Sequence, residues 1–250
     1  MTAKTLRVTV LYPDRMNIYA DRGNLIFLRR RCEWRGIGFE LTSSVEGDQV
    51  DPDGVDLLYI GGGQDRDQME IAEDLISRKR EGISAALDGG AALLAVCGGF
   101  QLLGRSYSVG DHEIQGLGFC DLETKREAGA RLIGNVEVEV DGLEGLDGPR
   151  KLVGFENHGG RTYLGDAAKP LGRVVRGNGN NGRDATEGVL DGRLIGTYLH
   201  GPLLPKNVWF ADWLIATALA EAGRPPIGLE PLDDTLEEAA HSSALRAAGR

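Results

Sequence analysis

A thiol set between an apolar run and two glycines is the most chemically suggestive feature of this chain. Ala91–Val96 is apolar throughout, and Cys97-Gly98-Gly99 follows at once, leading into Phe100-Gln101-Leu102-Leu103. A buried strand that stops at a nucleophile and restarts as a helix makes a turn so tight that its neighbours must be small. Such a turn holds the nucleophile in a strained conformation at the carboxyl end of a sheet. The Gly98 N–H would face an oxyanion there, and the helix start favours thiolate over thiol. The other two thiols, Cys32 on a helix face and Cys120 within a strand pattern, read as small buried hydrophobes.

A thiolate attacking an acyl group needs a base and an oxyanion hole. His200 ends the strand-like run Leu194–Leu199 and precedes Gly201-Pro202, a position suited to a base at a sheet edge. His158, in Phe155-Glu156-Asn157-His158-Gly159-Gly160, is the alternative. His112 falls in a turn and His241 in an exposed C-terminal stretch. A second glycine turn, Gly61-Gly62-Gly63, follows the apolar strand Val55–Ile60 and offers further N–H donors. Losing one oxyanion donor typically costs about a hundredfold or more in rate. Neither this turn nor Gly177–Gly182 carries the lysine of a phosphate loop.

The elements that must carry these groups alternate. Leu6–Tyr12 opens as a strand. Asn24–Trp34 follows as a helix, with Leu25, Leu28 and Cys32 on one face. Phe39–Ser43 and Val55–Ile60 are strands. Met69, Ala72 and Ile76, then Ile83, Ala86 and Leu87, have helical spacing before Ala91–Val96. Strand–helix alternation predicts right-handed crossovers and an α/β fold with a mostly parallel central sheet flanked by helices. Further strands are predicted at Gly118–Thr124, Asn135–Val140, Leu152–Phe155 and Leu194–Tyr198. Asn207 would cap a last helix bearing Val208, Ala211 and Ile215. The expected division is a domain over 1–225 and a loosely attached, acidic, Ala-rich tail over 226–250.

Composition narrows the function. The net charge is −10, and the one basic run is Arg29-Arg30-Arg31, inside the first helix. A nucleic-acid surface is therefore disfavoured. Three cysteines with no Cys-x-x-Cys pair predict neither a disulfide framework nor a zinc site. Met1–Thr5 has no secretory pattern, and no apolar run reaches the length of a membrane span. The expectation is a cytoplasmic, acidic enzyme.

Cys97-x-Gly99-x-Gln101 after an apolar strand resembles the nucleophile motif of class I, triad-type glutamine amidotransferases, whose fold has flavodoxin-like layers. The likeness runs from about Leu6 to about Leu214. Gly61–Gly63 resembles the oxyanion strand of that class, and His200 its base. His200-Gly201-Pro202 stands where His-x-Glu is usual, and Ala95 where Gly is usual. His200-Gly201-Pro202 instead resembles the branch that contains cobyric acid synthase and cobyrinate diamide synthase. The third triad member is thus either absent or supplied by a partner chain, or it is one of Asp14, Asp21, Asp65 and Glu156. Four stretches, Tyr12–Asn24, Gly61–Arg66, Gly154–Gly160 and Gly177–Gly182, resemble glutaminase subunits of lipid II isoglutaminyl synthases.

That resemblance implies hydrolysis of L-glutamine to glutamate and ammonia by a chain that needs no cofactor of its own. It implies a separate Mur-ligase-like synthetase subunit that uses ATP and Mg to amidate the D-glutamate α-carboxyl of lipid II to D-isoglutamine. Lipid II would be reached only through that partner. The implied roles are Cys97 as nucleophile, His200 as base, and Gly62, Gly63 and Gly98 as oxyanion donors. Arg131 would grip the glutamine carboxylate, with Gln101 ordering the turn beside the substrate. Competing readings are an amidotransferase for a corrinoid-type substrate, a stand-alone γ-glutamyl hydrolase, and a non-catalytic docking module.

Overall fold

The computed structural model describes residues 4–18 and 21–249. Met1–Ala3, Tyr19, Ala20 and Arg250 lie outside the described residues. Part of the N-terminal stretch and part of Tyr12–Asn24 therefore fall outside them too.

The first half alternates as expected. It comprises β1 (Thr5–Leu11), α1 (Arg22–Glu33), β2 (Gly38–Ser44), β3 (Leu57–Ile60), α2 (Asp65–Asp74), α3 (Arg80–Asp88), β4 (Ala92–Val96) and the short α4 (Gly98–Leu102). Between α2 and α3 the helix widens to a π-type turn over Leu75–Lys79. The second half is strand-rich: β5 (Ser106–Val109), β6 (His112–Gln115), β7 (Leu122–Arg126), β8 (Leu132–Val140), β9 (Arg150–His158), β10 (Gly160–Leu164), β11 (Gly172–Arg176), β12 (Thr186–Glu187), β13 (Val189–Asp191) and β14 (Leu194–Thr197). Helices α5 (Leu203–Lys206), α6 (Val208–Ala218) and α7 (Thr235–Ala248) close the chain.

Six strands form the central sheet in the order β13-β14-β4-β3-β1-β2. All of its pairings are parallel except β13 with β14. Every residue of β3 and β4 is buried, as strands covered on both faces must be. Leu25, Leu28 and Cys32 of α1, Ile83 and Ala86 of α3, and Phe210, Leu214 and Ile215 of α6 join them in one core. Two antiparallel-rich four-stranded sheets, β10-β7-β5-β6 and β12-β11-β8-β9, carry the intervening residues.

Two expectations are corrected. The strand predicted from Gly118 begins only at Leu122. Residues 116–120 instead fold back on the end of α4, where the Leu117 N–H donates to Leu102 O and the Phe119 and Cys120 N–H groups donate to Leu103 O. Cys120 therefore sits in a bend, though buried as expected. The C-terminal stretch is also no loose tail, because α7 is pinned by polar contacts. Asp234, just before it, pairs with the buried Arg31, and Arg31 Nε also donates to Asp212 at 2.8 Å. Arg35 donates to Glu230 O at 2.7 Å, and His241 Nδ1 lies 2.7 Å from Lys206 O. The half-buried His241 is thus less open than its surroundings in sequence suggest. Two residues of the basic run are spent structurally: Arg31 on these carboxylates and Arg30 on Glu33.

Candidate active site

Four neighbouring strands deliver the site's groups to one edge of the sheet. In the order β14-β4-β3-β1, their carboxyl ends lead to His200, Cys97, the Gly61–Gly63 turn and the loop carrying Asp21. Parallel register makes this automatic: Thr197 lies opposite Val96, and Ile60 opposite Ala95. The crevice outside the carboxyl ends of such a sheet is where ligands bind.

Cys97 has φ 50° and ψ −101°, a left-handed conformation that a side chain rarely adopts. Strand pairing holds it there, since its N–H donates to Thr197 O at 2.8 Å. Its thiol is nearly buried, at 4% exposure, but lines a cavity of about 380 Å³.

His200 is fully buried and is clamped by reciprocal backbone bonds with Phe155, of 2.9 and 3.1 Å. Its Nδ1 lies 3.1 Å from Asp21 Oδ1, and its imidazole is coupled electrostatically to Cys97. Asp21 is therefore the acid of the constellation among the four candidates. Asp14 is exposed, Asp65 faces Tyr107 and Arg126, and Glu156 accepts from Asn178 and Gly179. Asp21 is itself fixed. Its Oδ2 accepts the Gly62 N–H at 2.7 Å, and its carbonyl accepts the Tyr59 hydroxyl at 3.2 Å.

Burial alone would lower the His200 pKa. Attraction to a thiolate at Cys97 and the hydrogen bond that the imidazole donates to Asp21 outweigh it and raise the imidazole from 6.5 to about 10. A folded-state value above the unfolded one stabilises the fold fully below about pH 6.5, and that contribution is lost as pH rises through about 10. The imidazolium thus persists across neutral pH. A pH profile of kcat/KM is expected to keep its alkaline limb well above pH 8, approaching 10. A limb near 6.5 would show that the pair is not formed.

The Gly62 amide corrects one expectation. It is bonded to Asp21 and so is not a free oxyanion donor. A Cβ at Gly62 would also lie 2.8 Å from His200 Cε1, so glycine is needed there to admit the imidazole. The Gly63 and Gly98 amides, by contrast, have no hydrogen-bond partner among the described residues. A Gly98 Cβ would come within 2.8 Å of Gly63 N, so the absence of side chains lets these two turns approach. The buried Met16 packs beneath both glycines, a buttress that the sequence did not single out.

Arg131 and Gln101 both line the cavity. Arg131 is oriented by Asn157, to whose Oδ1 and O it donates at 2.8 and 2.7 Å. Gln101 bridges Gln68 and the Tyr198 hydroxyl, at 2.8 and 3.2 Å, and so braces the turn. His158 lines the cavity too, but its nitrogens are directed elsewhere: Nδ1 lies 2.8 Å from Gly160 O and Nε2 3.7 Å from Glu156. Its ring stacks on Tyr198 at 3.6 Å. Glu187 was invisible in sequence. It accepts from the Tyr198 N–H and the Thr197 hydroxyl, which orders the strand end that leads to His200. Burial pushes its carboxyl up to about 7.

Burial likewise pushes the Cys32 and Cys120 thiols up to about 12. Iodoacetamide at neutral pH is therefore expected to modify Cys97 and to spare the other two in the folded chain, as read by peptide mass mapping.

The sequence profile of the CobB/CobQ-like glutamine amidotransferase domain matches residues 7–208. The chain is 39% identical to the glutamine-hydrolysing subunit GatD of lipid II isoglutaminyl synthase from Staphylococcus aureus, over 85% of this chain and 84% of that one. It is 38% identical to the GatD subunit from Streptococcus pneumoniae, over 93% and 88%. Identity to a cobyric acid synthase from Pelotomaculum thermopropionicum is 30%, over 78% of this chain but 37% of that protein. In fold, a chain of the PurLQS structure from Thermotoga maritima aligns with TM-score 0.57 at 21% identity, covering 88% of this chain and 96% of that one.

Proposed function

Because the chain belongs to the CobB/CobQ-like glutamine amidotransferase family, we propose that it is the glutamine-hydrolysing subunit of a two-chain lipid II amidotransferase. The observation that carries this reading is the strained, cavity-lining Cys97 coupled electrostatically to a His200 that Asp21 orients. Likeness to GatD subunits along most of both chains supplies the pathway.

Glutamine enters with its carboxylate at Arg131. The Cys97 thiolate adds to the side-chain carbonyl, and the negative charge that develops on oxygen meets the Gly63 and Gly98 amides. Collapse breaks the C–N bond, and the His200 imidazolium gives its proton to the departing ammonia. His200, now neutral, takes a proton from water as the water attacks the thioester, which frees glutamate and restores the thiolate–imidazolium pair. Ammonia passes to a Mur-ligase-like synthetase subunit. With ATP and Mg, that subunit activates the D-glutamate α-carboxyl of lipid II and forms D-isoglutamine. The reaction takes place in the cytoplasm, and this chain touches lipid II only through its partner.

The test is ammonia release from L-glutamine by the chain alone and with the synthetase. Cys97-dependent release that rises with the partner supports the reading. Release indifferent to the partner indicates a stand-alone hydrolase.

A further inference from the structure

Asp65 takes no part in the chemistry above, yet it lines the same cavity as Cys97. It is the first residue of α2, and its carboxylate is held from two sides. The buried Tyr107 hydroxyl donates to Oδ1 at 2.8 Å, and Arg126 Nη1 donates to Oδ2 at 3.2 Å. The Arg126 guanidinium lies against Gly159, where a Cβ would stand 2.1 Å from Nη1 and 2.3 Å from Cζ and push the guanidinium from this position. These two bonds leave acceptor directions of the carboxylate open, because an ionised carboxylate has about four. The Asp65 side chain is 33% exposed, so a ligand in the cavity can reach it.

The same cavity contains Arg131, whose Nε and Nη2 are spent on Asn157 while Nη1 has no partner among the described residues. One small chamber thus offers an oriented anion and an oriented cation. An α-amino acid head group carries the complementary pair. We propose that Asp65 receives the α-ammonium of glutamine while Arg131 takes its α-carboxylate, so that the cavity selects the free zwitterionic amino acid. This deepens the glutaminase reading and rests on it. An arginine alone would accept any carboxylate bearing a distal amide. Asp65 adds attraction for the ammonium and repels a carboxylate that arrives without one.

The test is calorimetric binding to the full chain carrying Cys97→Ala, with and without Asp65→Asn. The probes are L-glutamine and glutaramate, which is glutamine without its α-amino group. The parent is expected to prefer L-glutamine by about tenfold, the value of one charge-assisted hydrogen bond at a part-exposed site. Asp65→Asn should weaken L-glutamine by about the same factor and leave glutaramate within about twofold, abolishing the preference. A loss of local structure would weaken both ligands together. Equal weakening of both, or no change in either, overturns the proposal and leaves the glutaminase reading intact. Failure of the parent to bind L-glutamine overturns both.

Discussion

Replacing Cys97 with Ala is expected to lower ammonia release from glutamine by about 10⁴-fold or more, the scale seen when a covalent nucleophile is removed. Among the described residues, no neighbouring group is placed to take over the attack. His158 directs its nitrogens at Gly160 and Glu156, and Gln101 is committed to Gln68 and Tyr198. The variant should fold normally. Alanine loses one sulphur atom at a site that is 4% exposed, and it meets the same left-handed φ that cysteine already tolerates. A melting temperature within a few degrees of the parent would attribute the loss to chemistry. Release retained within about tenfold would remove Cys97 from the mechanism.

Asp21→Asn carries the second-largest expected effect, a fall in kcat of about 10³- to 10⁴-fold with KM little changed. Asp21 accepts two bonds at once, from His200 Nδ1 and from the Gly62 N–H. An asparagine has one oxygen and cannot accept both. If its oxygen faces Gly62, its amide N–H groups face Nδ1 and drive the imidazole to the tautomer protonated on the other nitrogen. That tautomer cannot take a proton from the attacking water. If its oxygen faces His200, an N–H confronts the Gly62 N–H, and the glycine turn beside the oxyanion donors is displaced. The alkaline limb should also move to lower pH, because the Asp21 hydrogen bond is one of the interactions that raise His200. Steady-state rates across pH check both points. A fall of less than tenfold would place the orienting acid elsewhere, with the partner chain the first place to look.

The placement of Cys97 and His200 at one sheet edge was legible because parallel sheets write themselves plainly. Short, unbroken apolar runs such as Ala92–Val96 and Leu57–Ile60 are buried on both faces, and the glycines that end them mark the functional edge. Asp21 was harder. It lies 179 residues from His200 and comes from a loop after β1, so only the strand order β14-β4-β3-β1 brings the two together. Sequence left it one of four carboxylates. Gly62 illustrates a different limit. Successive amides in a turn point in different directions, and spacing alone does not say that the middle one faces Asp21. The C-terminal stretch misled because composition records no partners. Asp234 looks like one acidic residue among several until Arg31, 203 residues earlier, is seen buried against it. Arg126 and Gly159 became a pair for the same reason, through a close approach that neither residue announces by itself.

On the proposed function, ammonia made at Cys97 is delivered to lipid II. This delivery is tested most directly by supplying the assembled two-chain enzyme with ATP, Mg, lipid II and L-glutamine labelled with ¹⁵N in its side-chain amide. Label is expected in the D-isoglutamine amide. That label should be lost with Cys97→Ala, and the variant should continue amidation when ammonium is supplied instead. Unlabelled or unamidated lipid II in the presence of an active, Cys97-dependent glutaminase would contradict the proposed delivery.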